Sequence, residues 1–214
     1  MKGEVTMKIS HYEVEKLPIA VIDNFFTEDE YNKIFNEINF LFPKYKKDPK
    51  YSRAATTRTG ASLSKAHNLW LDGIYSDREC SDILNINRKC WYIYEDKNKK
   101  TEWFKELTET HRWFDYLEKI NSDTTRLSYY EDSDHYKAHN DGALMTVITW
   151  MYKEEKDFLG GDLIFSDDTL IECMNNRTVF FPSILSHRVP EIKMLSDRPG
   201  YGRHAMVQFG SITL

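Results

Sequence analysis

The sequence lacks the features that mark membrane and secreted proteins. It has no apolar run of the roughly eighteen residues that a membrane-spanning helix needs, so we expect no span. Its opening stretch, MKGEVTMKIS, has no apolar segment of the secretory type. Cysteine is scarce: the three cysteines are an odd number with no C-x-x-C spacing. This pattern disfavours a disulfide framework or a zinc cage and favours thiols of a reducing cytoplasm, so we expect a cytoplasmic protein with free Cys80, Cys90 and Cys173.

The sequence also lacks an excess of positive charge. Lysine and arginine number 29 against 34 acidic residues, which gives a net charge of −5 at pH 7. This balance disfavours nucleic acid as a partner. No repeat, low-complexity segment or clear linker divides the 214 residues, and that length suits one large domain with its own core. We therefore expect a single domain over 1–214, of unknown oligomeric state.

The first half of the chain combines one strand with helices. PIAVI is apolar and β-branched enough for a strand. Thr27, with Glu30 three residues later, forms a capping box that predicts a helix start, and Pro43 predicts its end. Two further helices are predicted in SDILNINRKCW and EWFKELTETHRWFDYLEKI. Residues 44–66 are polar and aperiodic, and two interpretations stay open: a solvated surface loop, or a flap that covers a substrate.

The pattern changes at residue 124, where short β-rich runs separated by turn residues begin. Such runs predict a sandwich or barrel. The expected fold class is therefore α+β with a mainly β core. Residues 1–123 would supply helical support and the flap, and residues 124–214 the β core with the functional site.

The stretch HYKAHND holds two histidines, His135 and His139, followed by Asp141. On a helix the histidines would have zincin spacing, but Tyr136 stands where that motif has its glutamate. On a strand, His139 and Asp141 would point to the same face. His187, 46 residues beyond Asp141, is the candidate third ligand. Two histidines and one carboxylate form the facial triad typical of non-haem Fe(II), which leaves three positions open.

Four segments together resemble the Fe(II)- and 2-oxoglutarate-dependent oxygenases of the prolyl hydroxylase type. They are YYEDSDHYKAHND, FLGGDLIFSD, NRTVFFPSILSHRV and GYGRHAMVQF, and the opening VIDNFFTEDEYNKI is also similar to that family. The resemblance covers most of the chain and is weakest between about residues 44 and 110. It implies a double-stranded β-helix, or jelly roll, with supporting helices.

The resemblance also implies roles for particular residues. His139, Asp141 and His187 match the iron ligands, and Arg203 matches the residue that pairs with the distal carboxylate of 2-oxoglutarate. An arginine suits that role because its planar fork gives a carboxylate two charge-assisted hydrogen bonds. Tyr130 matches a tyrosine that contacts the cosubstrate, although a core tyrosine is an equal alternative.

Several positions depart from the family pattern or have a second interpretation. Ala205 stands where the family has a serine, so a hydroxyl partner for the cosubstrate is missing. Arg198 is a rival to Arg203, and His135 is expected at the surface or the pocket edge. We expect the remaining singled-out residues to serve as core or pocket wall, or to provide turn geometry: Tyr136, Trp150, Gly160 and Gly161.

The implied function is a dioxygenase that uses Fe(II), 2-oxoglutarate and O2, with ascorbate as a candidate reductant, and hydroxylates a C–H bond. The substrate favoured by the resemblance is a prolyl residue in a protein or peptide; a free amino acid or other small metabolite is the alternative. Nucleic-acid dealkylation is disfavoured by the acidic balance. A non-catalytic jelly-roll binding module is the competing class of function.

Overall fold

The structure, a computed structural model, describes residues 6–47, 53–91 and 101–213. These residues are mainly β. The strands are β1 (Lys8–Val14), β2 (Leu17–Asp23), β3 (His67–Trp70), β4 (Ser122–Tyr130), β5 (Tyr136–His139), β6 (Met145–Met151), β7 (Phe158–Leu159), β8 (Leu163–Phe165), β9 (Leu170–Ile171), β10 (Thr178–Pro182), β11 (His187–Val189), β12 (Lys193–Met194) and β13 (Arg203–Ser211). The α-helices are α1 (Glu28–Leu41), α2 (Asp82–Ile86) and α3 (Glu102–Thr110). Within the described ranges, no helix is long and apolar enough to span a membrane.

Helix α1 begins and ends as its sequence predicts. The Thr27 hydroxyl accepts the Glu30 backbone N–H at 3.3 Å, and the Glu30 carboxylate accepts the Thr27 N–H at 2.8 Å. This capping box satisfies two N–H groups that the helix leaves free. The α-helix ends at Leu41, and Pro43 lies in the 3-10 turn that follows. The apolar stripe packs inward through Ile34, Ile38 and Leu41.

The prediction of one continuous helix over residues 102–120 is wrong. Helix α3 ends at Thr110, and His111 adopts an extended conformation. The His111 Nδ1 accepts the Trp113 backbone N–H at 3.0 Å and caps a separate 3-10 helix, Arg112–Glu118. The side-chain cap therefore interrupts the helix, while the apolar residues on both sides of the break remain buried.

A seven-stranded antiparallel sheet forms the framework, in the order β1-β2-β10-β6-β13-β4-β3. Three of its strands precede residue 124, in the part for which we expected one strand, helices and a flap. Strand β1 joins β2 through Glu15 and Lys16, both with positive φ (52° and 66°). Positive φ at both turn residues is typical of the tight hairpin turn that usually contains asparagine and glycine. This hairpin therefore has the usual backbone geometry without the usual sequence signal.

A four-stranded sheet, β5-β11-β8-β9, packs against one face of the large sheet. Side chains alternate across β13: Met206 joins the apolar cluster on the helical face, whereas Ala205 and Val207 join the cluster between the sheets. Likewise, Tyr129 of β4 belongs to the first cluster and Tyr130 to the second. The side chains of the second cluster surround the candidate site.

Candidate metal centre

Two neighbouring strands of the small sheet bring the two candidate histidines together. His139 is the last residue of β5, His187 is the first of β11, and the two residues are paired across the strands. Their ring centroids lie 4.4 Å apart. The strand interpretation of HYKAHND is confirmed for residues 136–139, whereas Asp141 lies in the loop beyond the strand, and the 46 residues after Asp141 return the chain to its side.

Asp141 completes the group from the loop after β5. Its backbone N–H donates to the Ser183 carbonyl at 3.0 Å, which fixes the loop beside the end of β10. Its two carboxylate oxygens lie 3.6 Å from His139 Nε2 and 3.5 Å from His187 Nε2. One ligand atom from each residue lies within 4.8 Å of the others. The three predicted residues thus present two nitrogens and one oxygen to a common point.

Hydrogen bonds fix which ring nitrogens face that point. His139 Nδ1 lies 2.9 Å from the Lys137 carbonyl, and His187 Nδ1 lies 2.9 Å from the Leu185 carbonyl. A carbonyl can only accept, so each Nδ1 donates its hydrogen there, and each Nε2 is the nitrogen turned toward Asp141. Such outer hydrogen bonds orient the histidine ligands of metal sites. The Asp141 carboxylate is oriented similarly, since it accepts the Thr146 hydroxyl at 2.8 Å.

Burial also favours the neutral form of the first histidine. Desolvation, followed by the nearby His187, lowers the pKa of His139 to about 4, against an opposing contribution from Asp141. The imidazole is then neutral at pH 7 and available as a ligand. This donor set, two imidazoles and a carboxylate, fits Fe(II) and related ions better than Mg²⁺ or Ca²⁺, which prefer oxygen.

Arg203 lies on the same side of the large sheet as the three candidate ligands and lines the same cavity. It is 1% exposed, and neither its Nε nor its Nη1 has a hydrogen-bond partner among the described residues. Tyr130 pairs with it across β4 and β13, and the guanidinium carbon lies 4.6 Å from the Tyr130 ring centre. Burial raises the pKa of Tyr130, so its hydroxyl stays protonated and can donate. A buried guanidinium with free N–H groups fits an anionic ligand.

A glycine makes room for this arginine. Gly161 has φ +82°, and a Cβ at that position would lie 2.7 Å from Arg203 Cδ. Gly160 also has positive φ, at +77°. The expectation that both glycines serve backbone geometry is thus supported, and Gly161 additionally permits the close approach of Arg203.

Two of the other residues singled out from the sequence lie outside the cavity lining. Arg198 is half exposed and pairs with Asp157 at 3.1 Å, so it lies at the surface away from the cavity. His135 lies near Glu191 and outside the cavity lining.

Tyr136 lines the cavity and stacks on His139, with ring centres 3.6 Å apart. Ala205 also lines the cavity and Trp150 is fully buried beneath Arg203.

The described part of the loop 44–66 reaches this site. The Ala55 backbone N–H donates to the Tyr136 hydroxyl at 2.8 Å, and Ser64 forms an isolated β-bridge with Tyr136. No regular helix or strand forms in its described residues 53–66 apart from such bridges. The loop therefore lies beside the ring that stacks on a candidate ligand; residues 48–52 of the predicted flap fall outside the described residues.

Among the charged residues that line the cavity, sequence reasoning missed Arg126 on β4. It lies four residues before Tyr130, so the two side chains share a face of the strand, and it lines the cavity beside Asp141. The signal in the sequence was a single arginine within the otherwise apolar and hydroxyl-bearing run TTRLSYY. Nothing in that run shows whether the arginine has an acidic partner.

Several solved structures are similar to this chain in fold. No family model matches the sequence, and no curated protein matches it. A prolyl-4-hydroxylase from Pseudomonas putida is similar with a TM-score of 0.55 at 12% identity, over 92% of this chain and 93% of that chain. The collagen prolyl hydroxylase of Paramecium Bursaria Chlorella virus-1, solved with 2-oxoglutarate, is similar with a TM-score of 0.52 at 16% identity, over 91% and 96%.

A third structure, IDO from Bacillus thuringiensis, is similar with a TM-score of 0.50 at 12% identity, over 92% of this chain and 91% of that chain. At such low identities, the likeness establishes the fold and leaves activity and substrate to be argued from the site. The chain has the fold of these three structures.

Proposed function

We propose that this protein is an Fe(II)- and 2-oxoglutarate-dependent dioxygenase that hydroxylates a C–H bond, and that its two facing sheets form a jelly roll. The observation that carries the proposal is the joint placement of His139, Asp141 and His187 in one cavity with the buried guanidinium of Arg203, whose Nε and Nη1 have no hydrogen-bond partner among the described residues. The triad alone would fit several metals. The buried cation beside it adds the need for an anionic cosubstrate.

Each residue then has a defined task. His139, Asp141 and His187 would hold the iron through Nε2, a carboxylate oxygen and Nε2. Bound iron with 2-oxoglutarate supplies the O2 activation that no amino-acid side chain can provide. Arg203 would bind the far carboxylate of 2-oxoglutarate, and the Tyr130 hydroxyl would donate to the same cosubstrate. Thr146 holds the Asp141 carboxylate in orientation.

The protein also shields this chemistry from water. Between the sheets, Ile148, Leu163, Val189 and Val207 line the cavity with apolar atoms and are buried. An apolar wall strengthens the electrostatic interactions inside the cavity and limits side reactions. The loop beside Tyr136 would close the remaining side, which favours the flap interpretation of residues 53–66.

For the substrate, the first candidate is a prolyl residue in a protein or peptide, because two of the similar structures are prolyl hydroxylases. A free amino acid or other small metabolite is the alternative. The competing class, a non-catalytic binding module, does not account for Arg203, since a metal-binding module has no need of a buried unpaired guanidinium beside its metal.

Succinate formation tests the proposal. Purified protein with Fe(II), ascorbate, O2 and 2-oxoglutarate should release succinate, and His139→Ala should lose this activity by at least about 100-fold because a ligand is missing. The control is His135→Ala, which removes a neighbouring histidine outside the cavity lining and should leave the rate near wild type. Equal losses in both variants, or no succinate together with no iron binding, would contradict the proposal and favour the binding module.

A further inference from the structure

Arg126 connects the metal cavity with a second space. It lines the cavity of the triad and also an outer cleft, which includes Trp70, Asn140 and Gly142. Asp141 lines both spaces as well. The outer cleft thus opens directly onto the candidate metal ligands, where a substrate would have to lie.

The Arg126 guanidinium has no acidic partner among the described residues. Arg126 is 5% exposed, and its buried Nε makes no hydrogen bond. Its neighbours are aromatic rings: the guanidinium carbon lies 5.2–5.7 Å from the ring centres of Trp70, Tyr136 and Phe209. Asp123, an acidic residue in the cleft lining, already pairs with Arg78 at 2.7 Å.

A buried charge of this kind requires compensation. Removing an ion from water is strongly unfavourable, and cation–π contacts with three rings offset only part of that penalty. The planar fork of N–H groups matches a carboxylate, and one guanidinium balances one negative charge. A phosphate dianion would leave a second charge uncompensated close to Asp141, so a carboxylate fits better.

We propose that Arg126 binds a carboxylate of the substrate, and that this enzyme hydroxylates molecules carrying a free carboxylate close to the oxidised carbon. The inference rests on the proposed function and narrows its substrate class. A free amino acid and the C-terminal residue of a peptide offer the same group. Two buried arginines would then serve two anions, Arg203 the cosubstrate and Arg126 the substrate.

Binding of matched acids and amides tests the assignment without turnover. Free L-proline, L-leucine and short peptides ending in proline are compared with their C-terminal amides by calorimetry, with Mn(II) in place of iron and 2-oxoglutarate present. At least one acid should bind about 10- to 100-fold more tightly than its amide, the range expected for charge-assisted hydrogen bonds. Tighter binding of a free amino acid than of its amide indicates a free amino acid as the source of the carboxylate. The same preference seen only with the peptides indicates a peptide C-terminus.

The variants separate Arg126 from Arg203. Arg126→Gln should remove the preference for acids while 2-oxoglutarate binding stays near wild type, and Arg126→Lys should retain part of the preference. Arg203→Gln should weaken 2-oxoglutarate binding and leave the preference for acids over amides near wild type. Because Arg126→Gln deletes an unpaired buried charge, its Tm should not fall; a purely structural arginine held by three rings would show a lower Tm and no change in the acid-to-amide ratio.

Three outcomes would overturn the inference: acids and amides bind alike, no acid binds, or Arg126→Gln weakens 2-oxoglutarate binding as much as Arg203→Gln does. Failure of the proposed function looks different. A protein that discriminates acids from amides through Arg126, yet makes no succinate with Fe(II), would keep the carboxylate site and lose the oxygenase activity.

Discussion

Two clusters in this molecule contain the same kinds of ligand atoms at similar spacing, yet only one is suited to a metal. The candidate centre has His139, Asp141 and His187; the second cluster has His67, Glu131 and Asp134. In each, one ligand atom per residue lies within 4.8 Å of the others. Ligand type and distance therefore do not distinguish them.

The difference lies in what already occupies the second cluster. The Lys47 ammonium lies 2.8 Å from Asp134 and 3.4 Å from Glu131, so a cation from the chain neutralises these carboxylates. The candidate centre has no lysine or arginine ion pair to Asp141 among the described residues. Both histidine Nε2 atoms face the Asp141 carboxylate, while each Nδ1 is bonded to a backbone carbonyl. A cluster of metal-binding residues is therefore a candidate metal site when no lysine or arginine of the chain already neutralises its carboxylates.

The largest expected effect comes from removing one carboxylate from each cluster. Asp141→Asn should reduce Fe(II)-dependent succinate formation by about 100-fold or more, because the metal loses its anionic ligand. Asp134→Asn should leave the rate near wild type, since Lys47 still pairs with Glu131. Rates under identical iron and 2-oxoglutarate concentrations measure both. A comparable loss in Asp134→Asn would mean that the second cluster takes part in the chemistry.

A smaller effect should follow when the internal cation is removed. Lys47→Met leaves Asp134, which is 1% exposed, without its ion pair. We expect the free energy of unfolding to fall by about 1–2 kcal/mol, a moderate figure because Lys47 itself is partly exposed. Urea denaturation measures the change, and added Zn²⁺ should restore part of the stability by taking the lysine's place. The exposed Lys65→Met is the control, and an equal fall there would contradict the argument.

A further effect, confined to acidic pH, concerns His204, a buried histidine on the helical face of the large sheet. Burial among aromatic rings, including Tyr129 at 4.7 Å, lowers its pKa to about 3. Its unfolded value is about 6.5, so the unfolded chain gains a proton first and stability falls as the pH drops from about 6.5 toward 3. His204→Phe should remove about 1–2 kcal/mol of the stability difference between pH 7 and pH 5.

Denaturant midpoints at the two pH values test this expectation. If His204→Phe keeps the same difference as wild type, His204 is not the histidine that makes the fold sensitive to acid.

Parts of the candidate site and of the fold were predictable from the sequence because they depend on local patterns. The alternation of a strand predicted that His139 and Asp141 face one point, and they do, although the strand ends at His139 and Asp141 lies in the loop beyond it. Helix α1 was predictable because its capping box is local too. The His111 cap and the Glu15–Lys16 turn escaped prediction because these residues have weak local preferences, and long-range packing decided their conformation.

Ion pairs between residues that lie far apart in the sequence were not predictable in the same way. Arg126 and Lys47 are both basic residues in the sequence, but one is buried without an anion and the other neutralises two acids. That distinction depends on residues more than 80 positions away from Lys47 and on the packing of three rings around Arg126. No single segment contains the information.

The close approach of Gly161 to Arg203 has a consequence for protein design. A substitution at Arg203 alters charge, length and position together. An alanine at 161 would leave every charged group unchanged, but its methyl would overlap the Arg203 Cδ and approach Ile192, and its backbone would be strained at φ +82°. Position 161 therefore affects where the Arg203 guanidinium lies, and position 203 sets the charge placed there.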